Sequence, residues 1–169
     1  MRMKRLAVAV AVALVVSLMA GIVAYAAIQN VTTNVTVGQE LALTLDRTSI
    51  NFGLVTAGST GKPADNPVVA TVQSPSFSYN VALSGTNLAG QTNPSQSIAI
   101  NNMEYQLSIN NGSPTNWAAV PGTSTVVANN QPATTGSGST YTFSYRLSVP
   151  ANTPSQSYQG TLTIEATTI

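Results

Sequence analysis

The chain has 169 residues, of which six are Lys or Arg and five are Asp or Glu, and it contains neither histidine nor cysteine. The lack of histidine removes the commonest general base and the commonest transition-metal ligand, and the lack of cysteine removes thiol chemistry and disulfides. Zinc centres, thiol-protease sites and Ser-His-Asp sites are therefore excluded, and we expect no catalytic residue, no metal site and no cofactor.

The first 26 residues have the pattern of a secretory signal. Positive charges at Arg2, Lys4 and Arg5 precede an apolar stretch over residues 6–23. The small residues Ala24 and Ala26 flank Tyr25, which predicts cleavage between Ala26 and Ala27. The alternative is an uncleaved anchor, because about 18–20 apolar residues can span a bilayer. Either interpretation predicts that the rest of the chain is extracellular or at the cell surface, with the membrane reached only through this segment.

The predicted mature chain, residues 27–169, is poor in charge. Three basic side chains stand against five acidic ones, a net charge of −2. No basic patch is available to neutralise phosphates, so we expect no nucleic-acid partner. Neutral Ser, Thr, Asn and Gln make up 63 of these 143 residues. Such a surface lacks one of the usual barriers to self-association.

The first mature residues, 27–37, form a candidate donor strand. Their odd positions from Val31 to Val37 are β-branched, the even positions are mostly polar, and Gly38 offers a hinge. In one interpretation, residues 31–37 are an edge strand of their own sheet. In the other, the segment inserts into a neighbouring subunit and completes its sheet, which repeated head to tail gives an open homopolymer. The interface residues predicted for that case are Ile28, Val31, Thr33, Val35 and Val37.

The remainder, residues 38–169, alternates between apolar and polar positions with a period of two. In the clearest example, polar residues separate Tyr141, Phe143, Tyr145, Leu147 and Val149. Such runs, bounded by Gly, Pro and Asn turns, predict an all-β fold, an antiparallel β-sandwich or jelly roll of about nine or ten strands. The strands are predicted near residues 31–37, 40–46, 49–55, 67–73, 77–84, 97–101, 103–110, 124–128, 140–149 and 158–167.

Three smaller features bear on ligands. The sequons at Asn30, Asn34 and Asn111 are acceptors for N-linked sugar in an exported protein. The carboxylates are scattered along the sequence, and Asp46 and Asp65 are the candidates for calcium binding. A glycan platform is conceivable from the aromatic residues Trp117, Tyr105 and Tyr141.

The layout resembles a known family. An apolar strand after the signal is followed by Leu41–Leu45, by Ile50-Asn51-Phe52-Gly53-Leu54-Val55 and, near the end, by Tyr158-Gln159-Gly160-Thr161-Leu162-Thr163-Ile164. This is similar to secreted β-sandwich subunits of the TasA/camelysin type and to the related archaeal bundling pilins. The resemblance implies matrix fibres built by donor-strand exchange. Camelysin-like members are also described as metallopeptidases, an activity that does not carry over to a chain without histidine or a metal-binding motif.

The leading hypothesis is therefore a structural subunit of an extracellular filament or pilus. One alternative is a type IV pilin-like or anchored surface protein that retains residues 6–23. A pilin leader normally ends in a small residue, whereas Arg5 directly precedes Leu6 here. The other alternative is a glycan-binding or adhesive module whose partner is a surface glycan.

Overall fold

The structure is a computed structural model that describes residues 40–169, which form twelve β-strands and one short 3-10 helix. All strand pairs are antiparallel. The strands are β1 (Ala42–Leu45), β2 (Lys62–Pro63), β3 (Val68–Gln73), β4 (Tyr79–Gly85), β5 (Leu88–Gly90), β6 (Ser97–Ile98), β7 (Met103–Ile109), β8 (Ala118–Ala119), β9 (Thr125–Gln131), β10 (Ser139–Leu147), β11 (Tyr158–Gln159) and β12 (Leu162–Thr168), and the helix, Ile100–Asn102, lies between β6 and β7.

One layer of the sandwich is a sheet with the strand order β1-β3-β10-β7-β8, in which β2 also pairs with β10. β10 lies at the centre of this sheet, between β3 and β7. Every second residue of β10, from Tyr141 to Leu147, is buried. Its partner β3 likewise buries Val68, Ala70 and Val72. The polar residues between them point to the opposite face, as the period of two requires.

The other layer consists of two three-stranded sheets that continue one another, β12-β4-β9 and β11-β5-β6. β5 follows β4 and β12 follows β11 after short interruptions. The Thr86 N–H donates to the Thr161 carbonyl at 2.9 Å, which joins the two sheets. Gly160 lies at this junction, where a Cβ atom would come within 3.0 Å of the Thr86 carbonyl oxygen. Glycine thus permits the close approach of the two chain segments.

The core lies between the layers. Tyr79 of β4 meets Tyr141 of β10 edge to face, with ring centroids 6.4 Å apart. Phe143 and Tyr145 extend the aromatic packing along β10, with centroids 6.3 Å apart. The buried cluster comprises Val68, Ala70, Val72, Tyr79, Val81, Leu83, Leu88, Ile98, Ile100, Met103, Leu107, Val120, Ala128, Tyr141, Phe143, Tyr145, Leu147 and Val149.

The all-β sandwich predicted from the sequence is confirmed, and most predicted strands lie within a few residues of observed ones. The prediction of a strand over residues 49–55 is wrong. There the Asn51 side chain accepts a hydrogen bond from the Gly53 N–H at 2.8 Å, and Gly53 has a φ of 65°. This turn interrupts an extended backbone, although Ile50, Phe52 and Val55 still pack on the core.

Other differences concern short elements. The predicted strand 158–167 is divided at Gly160, and the predicted strand 97–101 ends in the 3-10 helix. The strands β2, β5 and β8 have only two or three residues each, too few for an alternating pattern to reveal them. No helix within residues 40–169 is long and apolar enough to cross a membrane. The predicted strand 31–37 and the predicted signal helix lie outside the described residues.

Candidate assembly site

The outer edge of β12 is the first component of the site. β12 pairs with β4 on one side, and no other strand among residues 40–169 pairs with it. The Thr161 carbonyl accepts a hydrogen bond from the Thr86 N–H, and the Ile169 N–H donates to the Ser78 carbonyl. The odd-numbered residues of this segment therefore direct their main-chain N–H and carbonyl groups toward β4. Because these directions alternate along a strand, the even-numbered residues from Leu162 to Thr168 direct theirs to the free edge. This edge is ready to receive another strand.

A groove beside this edge is the second component. It has a volume of about 870 Å³ and reaches the hydrophobic core. Leu162 and Ile164 of β12 line it, so the free edge forms part of its wall. Its other apolar lining residues are Leu45, Ile50, Phe52, Leu54, Val55, Val68, Leu88, Ile98, Ile100, Met103, Leu147 and Val149. Polar side chains, among them Arg47, Gln156 and Thr161, line the rest of the groove. Its mixed surface suits an extended segment that brings both apolar side chains and main-chain hydrogen-bonding groups.

The segment 47–57 contributes to the lining and is fixed by hydrogen bonds at both ends. The Asp65 N–H donates to the Asn51 carbonyl at 2.8 Å, and Asp65 Oδ1 accepts from the Asn51 N–H at 3.1 Å. The Gly58 N–H donates to the Val149 carbonyl at 2.8 Å. Between these points Leu54 is 98% exposed. A fully exposed leucine in the lining of an apolar groove gains burial when an occupant enters.

The two carboxylates considered for calcium are engaged with main-chain N–H groups. Asp46 Oδ1 accepts from Val69 at 2.8 Å, and this bond lowers the pKa of Asp46 below its usual value. The Asn51 N–H lowers the pKa of Asp65 in the same way, with help from Asn66. Both acids therefore stabilise the turns that flank β1 and the segment 47–57.

Tyr145 gives the groove a polar feature. The residue lines the groove and is only 2% exposed. Its hydroxyl is buried and has no hydrogen-bond partner among the described residues. Burial, with a smaller contribution from neighbouring Tyr105, raises the pKa of Tyr145, so the phenol is neutral at physiological pH.

The three aromatic residues considered for a glycan platform do not share a surface. Tyr141 is fully buried, and its hydroxyl lies 2.8 Å from that of Tyr79. Tyr105 packs beside Phe143 on the inner face of the sheet, with ring centroids 6.4 Å apart. Trp117 instead lies under the Arg146 guanidinium, at 4.5 Å from its ring centroid. The residue types suggested a platform, but Tyr105 and Tyr141 lie on the inner face of the sheet, whereas Trp117 contacts Arg146 on the outer face.

Of the predicted glycan acceptors, Asn111 is in the described part of the chain. It lies in an exposed turn after β7 and has a φ of 59°. Asn110 beside it differs, because its side chain accepts from the Thr140 N–H at 2.8 Å. The other predicted residues lie outside the described residues: the acceptors Asn30 and Asn34, the cleavage residues Ala26 and Ala27, the interface residues Ile28, Val31, Thr33, Val35 and Val37, and the hinge Gly38.

The amino-acid pattern does not predict the groove. It places Leu162, Ile164 and Tyr145 at alternate positions of the predicted strands 158–167 and 140–149. The pattern signals that their side chains face inward, but an inward residue is equally consistent with a closed core. What reveals the site is the missing neighbour of β12, which depends on strand order.

No protein-family model matches the chain, and no curated protein matches it. The interpretation of the site therefore depends on its geometry. A row of free main-chain N–H and carbonyl groups lies beside an apolar groove that leads to the core. This combination is suited to binding an extended peptide segment by strand addition.

Proposed function

We propose that the protein is a structural subunit of an extracellular filament or pilus at the cell surface. Residues 27–37 of one subunit would add to the free edge of β12 in the next subunit. The observation that carries this proposal is the unpaired edge of β12 beside the apolar groove. The donor segment has the complementary pattern, with β-branched residues at alternate positions.

Two contributions stabilise such an insertion. Main-chain hydrogen bonds to the even-numbered residues of β12 satisfy the free edge, and Val31, Val35 and Val37 bury apolar surface in the groove. Full burial of a valine side chain stabilises by roughly 1.5 kcal/mol or more, which offsets part of the entropy lost when the segment is ordered. Because donor and acceptor surfaces differ, the contact is heterologous and repeats without closing.

The low charge of the chain is consistent with assembly. Among the described residues the ion pairs are Arg47 with Asp46 and Arg146 with Glu104. Subunits carrying few charges repel one another weakly when they stack.

Export is the accompanying proposal, and N-terminal sequencing of the protein from its native cells tests it. A mature chain that begins at Ala27 supports secretion, whereas one that begins at or before Leu6 supports an anchored protein.

Filament formation tests the donor directly. Purified residues 27–169 should form regular fibres visible by negative-stain electron microscopy, and deletion of residues 27–37 should abolish them. A more discriminating variant is Val31→Asp with Val35→Asp, here called the donor-blocked variant. Its matched control places Asp at Asn30 and Asn34, on the other face of the predicted strand. Fibres from the donor-blocked variant, or none from the matched control, would contradict the proposal.

A mixing experiment distinguishes insertion into a neighbour from insertion into the same chain. Ile164→Pro removes an N–H from the free edge without removing a bond to β4, and it is here called the acceptor-blocked variant. Each variant alone should remain monomeric, while an equimolar mixture should form a heterodimer that grows no further. Analytical ultracentrifugation measures this mass. A mixture of monomers would show that the segment completes its own sheet.

A further inference from the structure

β1 connects two openings in the surface of the sandwich. Its first residue, Ala42, lines a hollow of about 430 Å³ together with Glu40 and Gln73. Its last residue, Leu45, lines the groove, as does Val68 at the other end of β3. Because β3 has six residues, the two openings lie roughly 17 Å apart along the strands. The chain therefore enters the described domain at the end away from the groove.

This arrangement determines where the domain of a donating subunit lies. All strand pairs among residues 40–169 are antiparallel. Residues 31–37 and β12 each comprise seven residues, so full antiparallel pairing would place residue 37 opposite Leu162, where β12 begins. Only three positions separate residues 37 and 40, which keeps Glu40 within about 11 Å of that point. Glu40 of the donating subunit is thereby brought to the groove of the accepting subunit.

The charges that meet at this point are of opposite sign. Residues 27–39 carry no charge, so Glu40 is the first charged residue after the predicted cleavage site. Among the described residues that line the groove, the one charged side chain is Arg47. Opposite charges on the two surfaces favour their approach.

Both side chains are available for a contact between subunits. Glu40 is exposed and has no ion pair among residues 40–169. Arg47 is 35% exposed and contacts the adjacent Asp46 at 3.1 Å through Nε. A guanidinium has five N–H donors, so Arg47 can bind a second carboxylate while it keeps Asp46.

We infer that Glu40 of one subunit forms an ion pair with Arg47 of the next, beside the inserted donor strand. This inference rests on the proposed donor-strand assembly and identifies a contact that fixes how far the donor is inserted. Apolar positions recur at every second residue of the donor, so a slip of about 6.8 Å along β12 leaves the same face inward. Such a slip separates Glu40 from Arg47, and the ion pair therefore favours one register.

A charge swap tests the pair within the heterodimer, in which the acceptor-blocked chain donates and the donor-blocked chain accepts. Glu40→Lys is made in the donating chain, Arg47→Glu in the accepting chain, and isothermal titration calorimetry measures the dissociation constant. Each substitution alone replaces attraction by repulsion and should weaken binding about three- to tenfold. The two substitutions together restore opposite charges and should return the dissociation constant to within about threefold of the unsubstituted value.

The same substitutions in the opposite chains are the matched control. Glu40→Lys in the accepting chain and Arg47→Glu in the donating chain lie away from the contact, so neither should change the dissociation constant. Equal weakening from either chain would show that the substitutions act on the fold of each domain, which overturns the inference.

The remaining outcomes separate this inference from the proposal beneath it. Tight binding of the unsubstituted pair, without recovery when both charges are swapped, would overturn the ion pair while leaving strand donation intact. Failure of the unsubstituted pair to bind would overturn both. Weakening by each single substitution with recovery in the swapped pair supports both.

Discussion

Two tyrosines four residues apart on β10 occupy contrasting environments. Tyr141 and Tyr145 are both inward-facing and almost fully buried. The Tyr141 hydroxyl pairs with that of Tyr79 across the two layers. The Tyr145 hydroxyl is buried and has no partner in the described part of the chain, while other atoms of the residue line the groove. The same strand therefore carries one buried phenol with a hydrogen-bond partner and one without.

Polar groups elsewhere in the fold show the same difference in hydrogen bonding. Near the beginning of β4, buried Ser74 donates through its N–H to Thr134 Oγ1 at 2.7 Å and through its hydroxyl to the Phe77 carbonyl at 2.7 Å. Beside the groove, by contrast, the even-numbered residues of β12 present free main-chain groups. The two regions therefore differ in how completely the described residues satisfy their main-chain and side-chain polar groups.

The largest expected difference in stability is between substitutions at two residues that are paired in register, Leu83 of β4 and Ile164 of β12. Leu83 is fully buried, so Leu83→Ala should lower the free energy of unfolding by about 2–5 kcal/mol. Ile164→Ala removes a half-buried side chain from the groove and should cost less than about 1.5 kcal/mol in the donor-blocked monomer. Urea denaturation measures both. Equal losses would mean that the groove is as closed as the core.

The next contrast removes each hydroxyl in turn from the donor-blocked monomer. Tyr141→Phe leaves the Tyr79 hydroxyl buried and without its main partner, at a cost of about 1–3 kcal/mol. Tyr145→Phe deletes a group that has no partner in this monomer and should be neutral or slightly stabilising. Urea denaturation measures the free energy of unfolding of each variant. A loss of more than about 1 kcal/mol for Tyr145→Phe would reveal a partner within the same chain.

The stability of the fold at alkaline pH also depends on these two tyrosines. Burial raises the pKa of Tyr145 and Tyr141 above the ordinary value near 10, so the unfolded chain releases these protons first. Their contribution to stability is therefore fully present below about pH 10 and is lost as pH rises toward the folded-state values, at up to about 1.4 kcal/mol per pH unit for each group. Tyr145→Phe should reduce this slope by the share of one tyrosine. Urea midpoints between pH 8 and 11 give the slope, and an unchanged slope would contradict the assignment.

The smallest expected effect lies on the outer face of the same strand. Arg146 contacts Glu104 at 2.6 Å and covers the Trp117 ring, but both charged side chains are about one-third exposed. Arg146→Ala should therefore cost about 1 kcal/mol or less, because water and salt screen exposed pairs. Arg146→Lys is the control that retains the charge. Denaturation followed by fluorescence of Trp117, the one tryptophan in the chain, reports this face directly.

Sequence reasoning succeeded where local pattern governs structure. The alternation from Tyr141 to Leu147 predicted a central strand with one buried face, and the structure confirms it. It failed over residues 49–55, where an apolar pattern suggested a strand but the Asn51 side chain and Gly53 form a turn. Alternation records which side chains are buried, and it does not record whether the backbone between them stays extended.

The sequence by itself determined the class of this protein: an all-β chain that contains neither histidine nor cysteine. Composition and alternation suffice for that, since both are local properties. Only the tertiary structure decided that β12 has one neighbour and that Tyr145 faces a groove while Tyr141 faces Tyr79. These facts depend on strand order and on contacts between residues far apart in the chain, which the alternating pattern of a single strand does not encode.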